Sequence, residues 1–453
     1  MEVNQPVASV RDALPVWAKC RAALAGGQAV RAARTDHLPM LAGTSDAEYD
    51  AYVQRALFFN ATQRTHDALV GLAMSRPAAS ELPPALEPLA LDLDAESTKL
   101  EEYVRNVVGE VLAVGAHLAV VDFPERPEDV VTAREERERG LRPFVASYRV
   151  EDVLDHRRDR AGITFLRLRE TVEEPDGEWD VKSIEQVRVY DIPDGAVRVR
   201  VFRQSDSGKW LPDDEVILTD AAGRTFDRVP AVWFGPVTDA PGKPPLLDLV
   251  DVNLAHYRNS ADHEHALHFT GLPTAYVSGV DENEIAGGLT LGSTTGYVFK
   301  DPNAKMQFAT YGADGLGALR EAMQDKIDMM AALGARMLAT ESRSAESGDA
   351  LAIRRGGENS ALAKVADSVS ASVVRLLRFM ADWDGITGEI AYSMDTDYLP
   401  ERLSAQDLTA LVGAWQNGAM TTPEMFERLK AGGVIRDDKT FEDHEAEAIE
   451  DDE

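Results

Sequence analysis

Hydrophobic positions in the first half of the chain follow two different periods. Between residues 46 and 72 they recur every three or four positions, which predicts a helix with Ser45 or Asp46 as its N-cap. A second helix is predicted over 97–114, followed by a strand at 117–121. From 141 to about 240 the period becomes two, which indicates an antiparallel meander of strands. The change of period predicts an α+β fold.

Two details of the β-rich section bear on its role. In 197–201 valines alternate with arginines, so the arginine face is either solvated or able to bind an anion. We expect the meander to close with Val232, Trp233 and Phe234 as its last strand.

The helical period returns after residue 245. A helix over 246–270 follows two prolines and presents one apolar stripe, formed by Leu247, Val250, Leu254, Tyr257 and Ala261. An insert over 273–310, rich in Gly and Thr, has strand-like residues at 274–277 and 296–299. A helix over 312–339 then carries Met323, Ile327 and Met330 on its apolar stripe.

A small, polar segment at 340–348 precedes a third long helical stripe. That stripe runs from Val365 to Trp383 and predicts a helix ending at Asp384-Gly385, with a strand after it at 389–394. The last residues, 442–453, are mostly acidic, a composition that is usually solvated.

Composition and charge narrow the class of protein. The chain has 453 residues, 44% of them hydrophobic, as in ordinary globular proteins. Its net charge is −31, which disfavours tight binding of duplex DNA through the phosphates. Its one cysteine excludes a disulfide framework. The first residues lack a signal-peptide pattern, and the most apolar stretch, 111–121, is about half the ~20 residues that a membrane span needs, so we expect no membrane contact.

The best candidate for catalysis is a cluster in the 246–270 helix. His263, Glu264, His265 and His268 are metal-ligand residue types, and a metal-dependent hydrolase is one open interpretation. However, after His263-Glu264 the next histidine in register falls one position too late for the zinc motif H-E-x-x-H. Helix-surface or subunit-contact histidines are the simpler interpretation, and we expect no cofactor.

Several stretches in a fixed order resemble the portal proteins of tailed bacteriophages, most closely a portal group known only as a domain of unknown function. They are PFVASYRVEDVLD at 143–155, EQVRV at 185–189, LDLVDVNLAHYR at 247–258, HALHFTGLPT at 265–274 and IRRGGENS at 353–360. The sequence departs at His156, where the resemblance leads us to expect a tryptophan. None of these stretches is a catalytic motif, and the resemblance extends over most of 45–430.

The resemblance implies a non-enzymatic virion protein that forms a ring, usually of twelve subunits, at one capsid vertex. Double-stranded DNA would pass through it during packaging and ejection. Its partners would be the terminase large subunit, a head–tail adaptor and the major capsid and scaffolding proteins, met in the host cytoplasm during assembly. Another head structural or adaptor protein is the alternative within this class.

The resemblance also implies an order of segments along the chain. That order is a wing at 1–245 (helical 1–140, β-rich 141–240), a first stem helix at 246–270, a clip at 271–311, a second stem helix at 312–339, a tunnel loop at 340–347, a return helix into the wing at 348–385 and a C-terminal wing or crown part at 386–453 with the acidic tail.

Two sets of site residues follow as hypotheses. Charged residues of the second stem helix and tunnel loop would face DNA in the channel or form ion pairs between subunits: Arg320, Asp325, Lys326, Asp328, Arg336, Glu341, Arg343 and Glu346. A helix pair joined by a clip has little core of its own, so apolar residues would be covered by neighbouring subunits: Leu247, Val250, Leu254, Tyr257, Met323, Ile327 and Met330.

Overall fold

The computed structural model of the chain divides into two compact units. It describes residues 2–124, 135, 139–205, 207–236, 242–271, 274–281, 299–309, 314–337, 360–396, 398, 411–415, 419–431 and 440–441. The sheet unit comprises residues 1–10, 68–242 and 335–453, and the helical unit comprises 11–67 and 243–334. The chain mixes helices and sheets, so the predicted α+β class is confirmed.

The core of the sheet unit is a small antiparallel sheet. Strand β2 (His117–Asp122) lies between β3 (Phe144–Tyr148) and β9 (Ala231–Phe234). Five successive residues of β2 are buried, as expected for a strand covered on both faces. The helices α6 (Leu100–Val114) and α9 (Ala361–Asp384) pack against this sheet.

The second sheet of this unit is the predicted meander, with one correction. Its five strands pair in chain order and are β4 (Val153–Arg158), β5 (Ile163–Asp176), β6 (Asp180–Asp191), β7 (Arg198–Gln204) and β8 (Trp210–Ile217). The prediction that 232–234 closes the meander is wrong, because this strand is β9 and pairs with β2 in the other sheet. All four residues of β9 are buried. This burial is typical of a sheet that is covered by helices, and not of a sheet with one face in solvent.

The two ends of the long helix α9 carry local signals. Ser360 caps its start by accepting a hydrogen bond from the Ala363 N–H at 3.1 Å, and Gly385 ends it in the left-handed conformation, φ 67°. The predicted end of this helix is thereby confirmed, whereas residues 348–359 of the prediction lie outside the described residues. The strand predicted after it is β12 (Ala391–Ser393), which pairs with β1 (Ala79–Glu81).

The N-terminal helices are divided between the two units. They are α1 (Ala8–Ala25), α2 (Gly27–Ala32), α3 (Asp46–Arg55), α4 (Ala61–Ala73) and α5 (Glu87–Ala90). The single helix predicted over 46–72 is therefore two helices, separated at residues 56–60. Ser45 is the N-cap, in a capping box with Glu48, as the sequence predicts.

The remaining elements of the helical unit match the predicted order. The helix α7 spans Leu247–Gly271, and α8 spans Asp314–Arg336. Between them along the chain, β10 (Thr274–Ser278) and β11 (Lys305–Ala309) form an antiparallel hairpin. The strand predicted at 296–299 falls almost wholly outside the described residues. A short helix, α10 (Thr422–Ala431), lies near the end of the chain, and no described helix has the length and apolarity to span a membrane.

Candidate assembly surface on the helix pair

The apolar stripe of α7 is covered within its own chain. Val250, Leu254 and Tyr257 are each at most 1% exposed. Residues 11–67 fold into helices of the same unit, and α3 packs directly on α7. Within the single chain these three predicted interface residues are therefore covered by its own helices, and their place in a subunit contact stays a prediction.

Polar contacts fix α7 to the N-terminal helices. The Asn253 side chain accepts hydrogen bonds from Thr62 and donates to the Phe59 carbonyl at 2.7 Å. The Ser260 hydroxyl accepts from the Leu57 N–H at 2.9 Å. This contact satisfies a backbone donor in the break between α3 and α4, where the chain leaves the helical ladder.

A further pair of contacts extends along α7 toward its C-terminal half. Arg258 Nε donates to the His37 carbonyl at 2.9 Å, and the Tyr52 hydroxyl donates to Asp262 Oδ1 at 2.5 Å. Burial raises the pKa of Tyr52 well above its usual value, and the Asp262 carboxylate adds to the rise. The Tyr52 hydroxyl therefore stays protonated and can donate. The contacts together fix α7 within the helical unit of its own chain.

The apolar residues of α8 divide into covered and open positions. Met330 is 3% exposed and is therefore covered within its own chain. Met323 and Ile327 are half-buried, as is Leu247 at the start of α7, and these three remain interface predictions. Met329 is 53% exposed.

The charged residues of α8 point largely to solvent. Arg320, Asp325, Asp328 and Arg336 are exposed, and Lys326 is half-buried, with its ammonium donating to the Ala322 carbonyl at 3.2 Å. Asp328 accepts a hydrogen bond from Gln324 Nε2 at 3.1 Å. Across the described ranges these five residues form no ion pair, so their charges are available to other molecules. The predicted channel residues Glu341, Arg343 and Glu346 lie outside the described residues.

An open groove of about 420 Å³ separates α7 from α8. Val252 and Ala255 line it from α7, and Ala322, Lys326 and Met329 line it from α8. Asp251 and Asp325 also line the groove, so it combines small apolar side chains and one exposed methionine with charged groups at its edge.

The histidine cluster of α7 packs with aromatic rings instead of converging on a metal. The His265 ring stands edge-on to Tyr52 at 5.3 Å and to Phe269 at 4.7 Å. Burial lowers the pKa of His265, and the nearby Arg55 and His268 lower it further. In the part of the chain that the structure describes, no group of three or more His, Cys, Asp or Glu side chains could hold a metal ion. The geometry therefore gives the hydrolase interpretation no support.

The arginine face of the meander is neutralised within the sheet. Asp191 accepts two hydrogen bonds from Arg198, at 2.9 and 2.8 Å, and one from Arg200 at 2.6 Å. The side-chain bonds from both arginines, led by those of Arg198, lower the pKa of Asp191. This face is therefore an internally paired surface and is a poor anion site.

Comparisons with known proteins identify one family match. The family model described as "Domain of unknown function (DUF4055)" matches residues 245–384, less than half of the chain. The matched residues include α7, the β10–β11 hairpin, α8 and α9. No curated protein matches the sequence.

Two solved structures have chains of similar length and low identity. One belongs to the "Virion of native gene transfer agent (GTA) particle", with 12% identity, a TM-score of 0.39, and coverage of 89% of this chain and 98% of that chain. The other belongs to the "Neck of empty GTA particle computed with C6 symmetry", with 13% identity, a TM-score of 0.40, and coverage of 82% and 90%.

Proposed function

We propose that the chain is a structural protein of a phage-like head or neck, and specifically the portal subunit. In this role it forms a ring, of about twelve copies, through which double-stranded DNA passes. The observation that carries the proposal is the order of elements in 247–384: helix α7, an antiparallel hairpin, helix α8 and the long helix α9. This is the order that the sequence resemblance implies for stem, clip, stem and return helix, and the family model matches the same residues.

The burial pattern supports different roles for the two stem helices. The helix α7 is anchored to residues 11–67 by its buried side chains and by its polar contacts. The exposed charges of α8, Arg320, Asp325, Asp328 and Arg336, then belong to the surface that faces DNA or a neighbouring subunit. In the same proposal 340–347 is the tunnel loop, 1–245 is the wing and 386–453 is the crown part.

The contacts between copies are proposed to use apolar residues that the chain leaves exposed. Met329 of α8 is 53% exposed, and the hairpin exposes Tyr276 and Phe308, at 45% and 52%. A two-stranded hairpin is marginally stable alone in water, so contact with the hairpins of neighbouring copies would stabilise it. Leu247, Met323 and Ile327 remain in the proposed contact as half-buried residues.

The charge of the chain suits a conduit. Twelve copies at −31 each would carry −372 charges (12 × −31), so phosphates near the wall are repelled and not held. Salt screens this repulsion over roughly 8–10 Å at physiological ionic strength, which centres the duplex without excluding it. The terminase large subunit, a head–tail adaptor and the major capsid and scaffolding proteins are the proposed partners of such a ring.

Electron microscopy and native mass spectrometry of the purified full chain test the proposal. We expect annular particles with a central hole and a mass corresponding to about twelve copies. A chain that stays a monomer at every concentration would contradict it. Elemental analysis of the same sample separates the alternative, because stoichiometric zinc or iron would instead favour the metal-dependent hydrolase.

A further inference from the structure

A pocket in the sheet unit gathers five arginines, although the chain as a whole is strongly acidic. It has a volume of about 510 Å³, within the roughly 300–1,000 Å³ of ligand pockets. Its arginines come from the end of β4, the β4–β5 turn, the segment before β9 and helix α9: Arg158, Arg160, Arg228, Arg375 and Arg378. Among the described residues that line it, two are aspartates, Asp227 and Asp382, so arginines outnumber acids in this lining.

The hydrogen bonds of these arginines leave part of that charge unpaired. Arg228 is matched by Asp227, with Nε to Oδ1 at 3.0 Å. Arg375 donates to the Ser372 hydroxyl at 2.8 Å and to the Ala371 carbonyl at 3.3 Å, neither of which is charged. Among the described residues, Arg160 and Arg378 form no ion pair. The pocket therefore presents at least three guanidinium groups without a carboxylate partner.

Electrostatics and shape both indicate an anionic ligand. Burial lowers the pKa of Arg375, and the neighbouring charge of Arg158 lowers it further, so an incoming carboxylate would relieve a repulsion already present. Guanidinium groups bind carboxylates through paired N–H donors. The wall also includes apolar residues, among them Phe226, Trp233 and Phe379, and these suit the aliphatic side chain of a residue that lies between acidic residues.

We propose that this arginine pocket binds the acidic segment 442–453 of the chain, from the same copy or a neighbouring one. The segment reads EDHEAEAIEDDE, with eight acidic residues and Ile449 among them. Phe441, immediately before it, packs against Phe426 of α10 at 5.4 Å. Nucleic acid is the weaker candidate, because a duplex would bring further phosphates against a chain of net charge −31, whereas a short peptide inserts only a few carboxylates.

Fluorescence anisotropy with a labelled peptide of residues 442–453 tests the proposal. The receptor is the full chain with the eight acids of this segment changed to their amides, so that the chain's own segment no longer competes. We expect micromolar binding that weakens at least tenfold in 0.5 M salt, and that the unmodified chain binds the peptide at least tenfold more weakly. Arg375→Ala with Arg378→Ala, added to the receptor, should weaken binding at least tenfold.

The matched control is Arg105→Ala with Arg149→Ala, which removes two exposed arginines outside the pocket and should leave the peptide affinity unchanged. Circular dichroism checks that each receptor is folded. Equal peptide binding by the pocket variant and the control variant would overturn the proposal. So would equal binding by the unmodified and amide-substituted chains, or binding of a twelve-nucleotide oligonucleotide in place of the peptide.

Discussion

The buried amide of Asn253 accepts two hydrogen bonds from Thr62, one from its backbone N–H at 3.1 Å and one from its hydroxyl at 2.8 Å. Both residues are completely buried, and they lie 191 positions apart in the chain. This pair joins α7 to the start of α4, so α7 is held by the N-terminal part of its own chain.

Replacing Asn253 should destabilise the helical unit strongly. Asn253→Leu leaves the Thr62 N–H, the Thr62 hydroxyl and the Phe59 carbonyl without a partner, and we expect a loss of roughly 2–4 kcal/mol in the free energy of unfolding. Urea denaturation measures it. The control Asn303→Ala, at an exposed position, should change the free energy by less than about 0.5 kcal/mol. Similar losses for the two variants would contradict the assigned role of Asn253.

A pair of charged substitutions separates folding from assembly. Leu254→Asp places a carboxylate at a position that is 1% exposed, so we expect the helical unit to lose about 4 kcal/mol or more and to become sensitive to proteases. Met329→Asp changes a residue that is 53% exposed, so the fold should persist. If Met329 lies in the contact between copies, native mass spectrometry should show the ring of this variant dissociated into smaller species. Intact rings in Met329→Asp would exclude it from that contact.

The helices α7 and α9 show which features the sequence alone could predict. The ends of α7 and α9 could be predicted because their signals are local: two prolines before α7, and Gly385 after α9. The stripe containing Leu254 predicts only that something apolar covers it. A neighbouring subunit and residues 11–67 of the same chain would produce the same periodicity, so the periodicity alone could not distinguish the two.

The break between α3 and α4 escaped prediction for a similar reason. Leu57 continues the helical spacing, but its N–H donates to Ser260, which is 203 positions away. No local signal marks that bond. The arginine pocket is also invisible along the chain, because its residues come from three distant segments and only the fold brings them together.

Removing one partner of the pair formed by Glu170 and Arg188 should destabilise the protein more than removing both partners. Glu170 accepts hydrogen bonds from Tyr148 Oη at 2.6 Å, Gln186 Nε2 at 2.6 Å and Arg188 Nε at 2.7 Å. We expect Arg188→Met to cost about 2–3 kcal/mol. This is less than the 3–5 kcal/mol of a fully buried pair, because 26% of the Arg188 side chain is exposed.

A double-mutant cycle measures the coupling. Adding Glu170→Gln to Arg188→Met should recover at least about 1 kcal/mol, because the uncompensated carboxylate is removed. The exposed pair of Lys243 and Asp248 provides the control, and Lys243→Met should cost less than about 0.5 kcal/mol. Strict additivity of the two substitutions in the network would show that Glu170 and Arg188 do not interact.

Acid should destabilise the helical unit through its buried histidines. Burial lowers the pKa of His37, His256 and His265, and Lys326 lowers the pKa of His256 further. The folded state then binds fewer protons than the unfolded state, whose histidines titrate near 6.5. Stability is therefore complete above that pH and falls as the pH drops from about 7 to 5. Each histidine contributes a slope of at most about 1.4 kcal/mol per pH unit.

His256→Phe isolates one of these contributions. The His256 ring lies 5.8 Å from the Phe59 ring, and its Nδ1 has no hydrogen-bond partner among the described residues, so phenylalanine keeps the packing and removes the titration. Urea denaturation of wild type and variant at pH 7.5, 6.5 and 5.5 should show a shallower loss of stability in the variant. Parallel profiles would contradict the prediction, because a histidine whose removal leaves the slope unchanged binds the same number of protons in the folded and unfolded states.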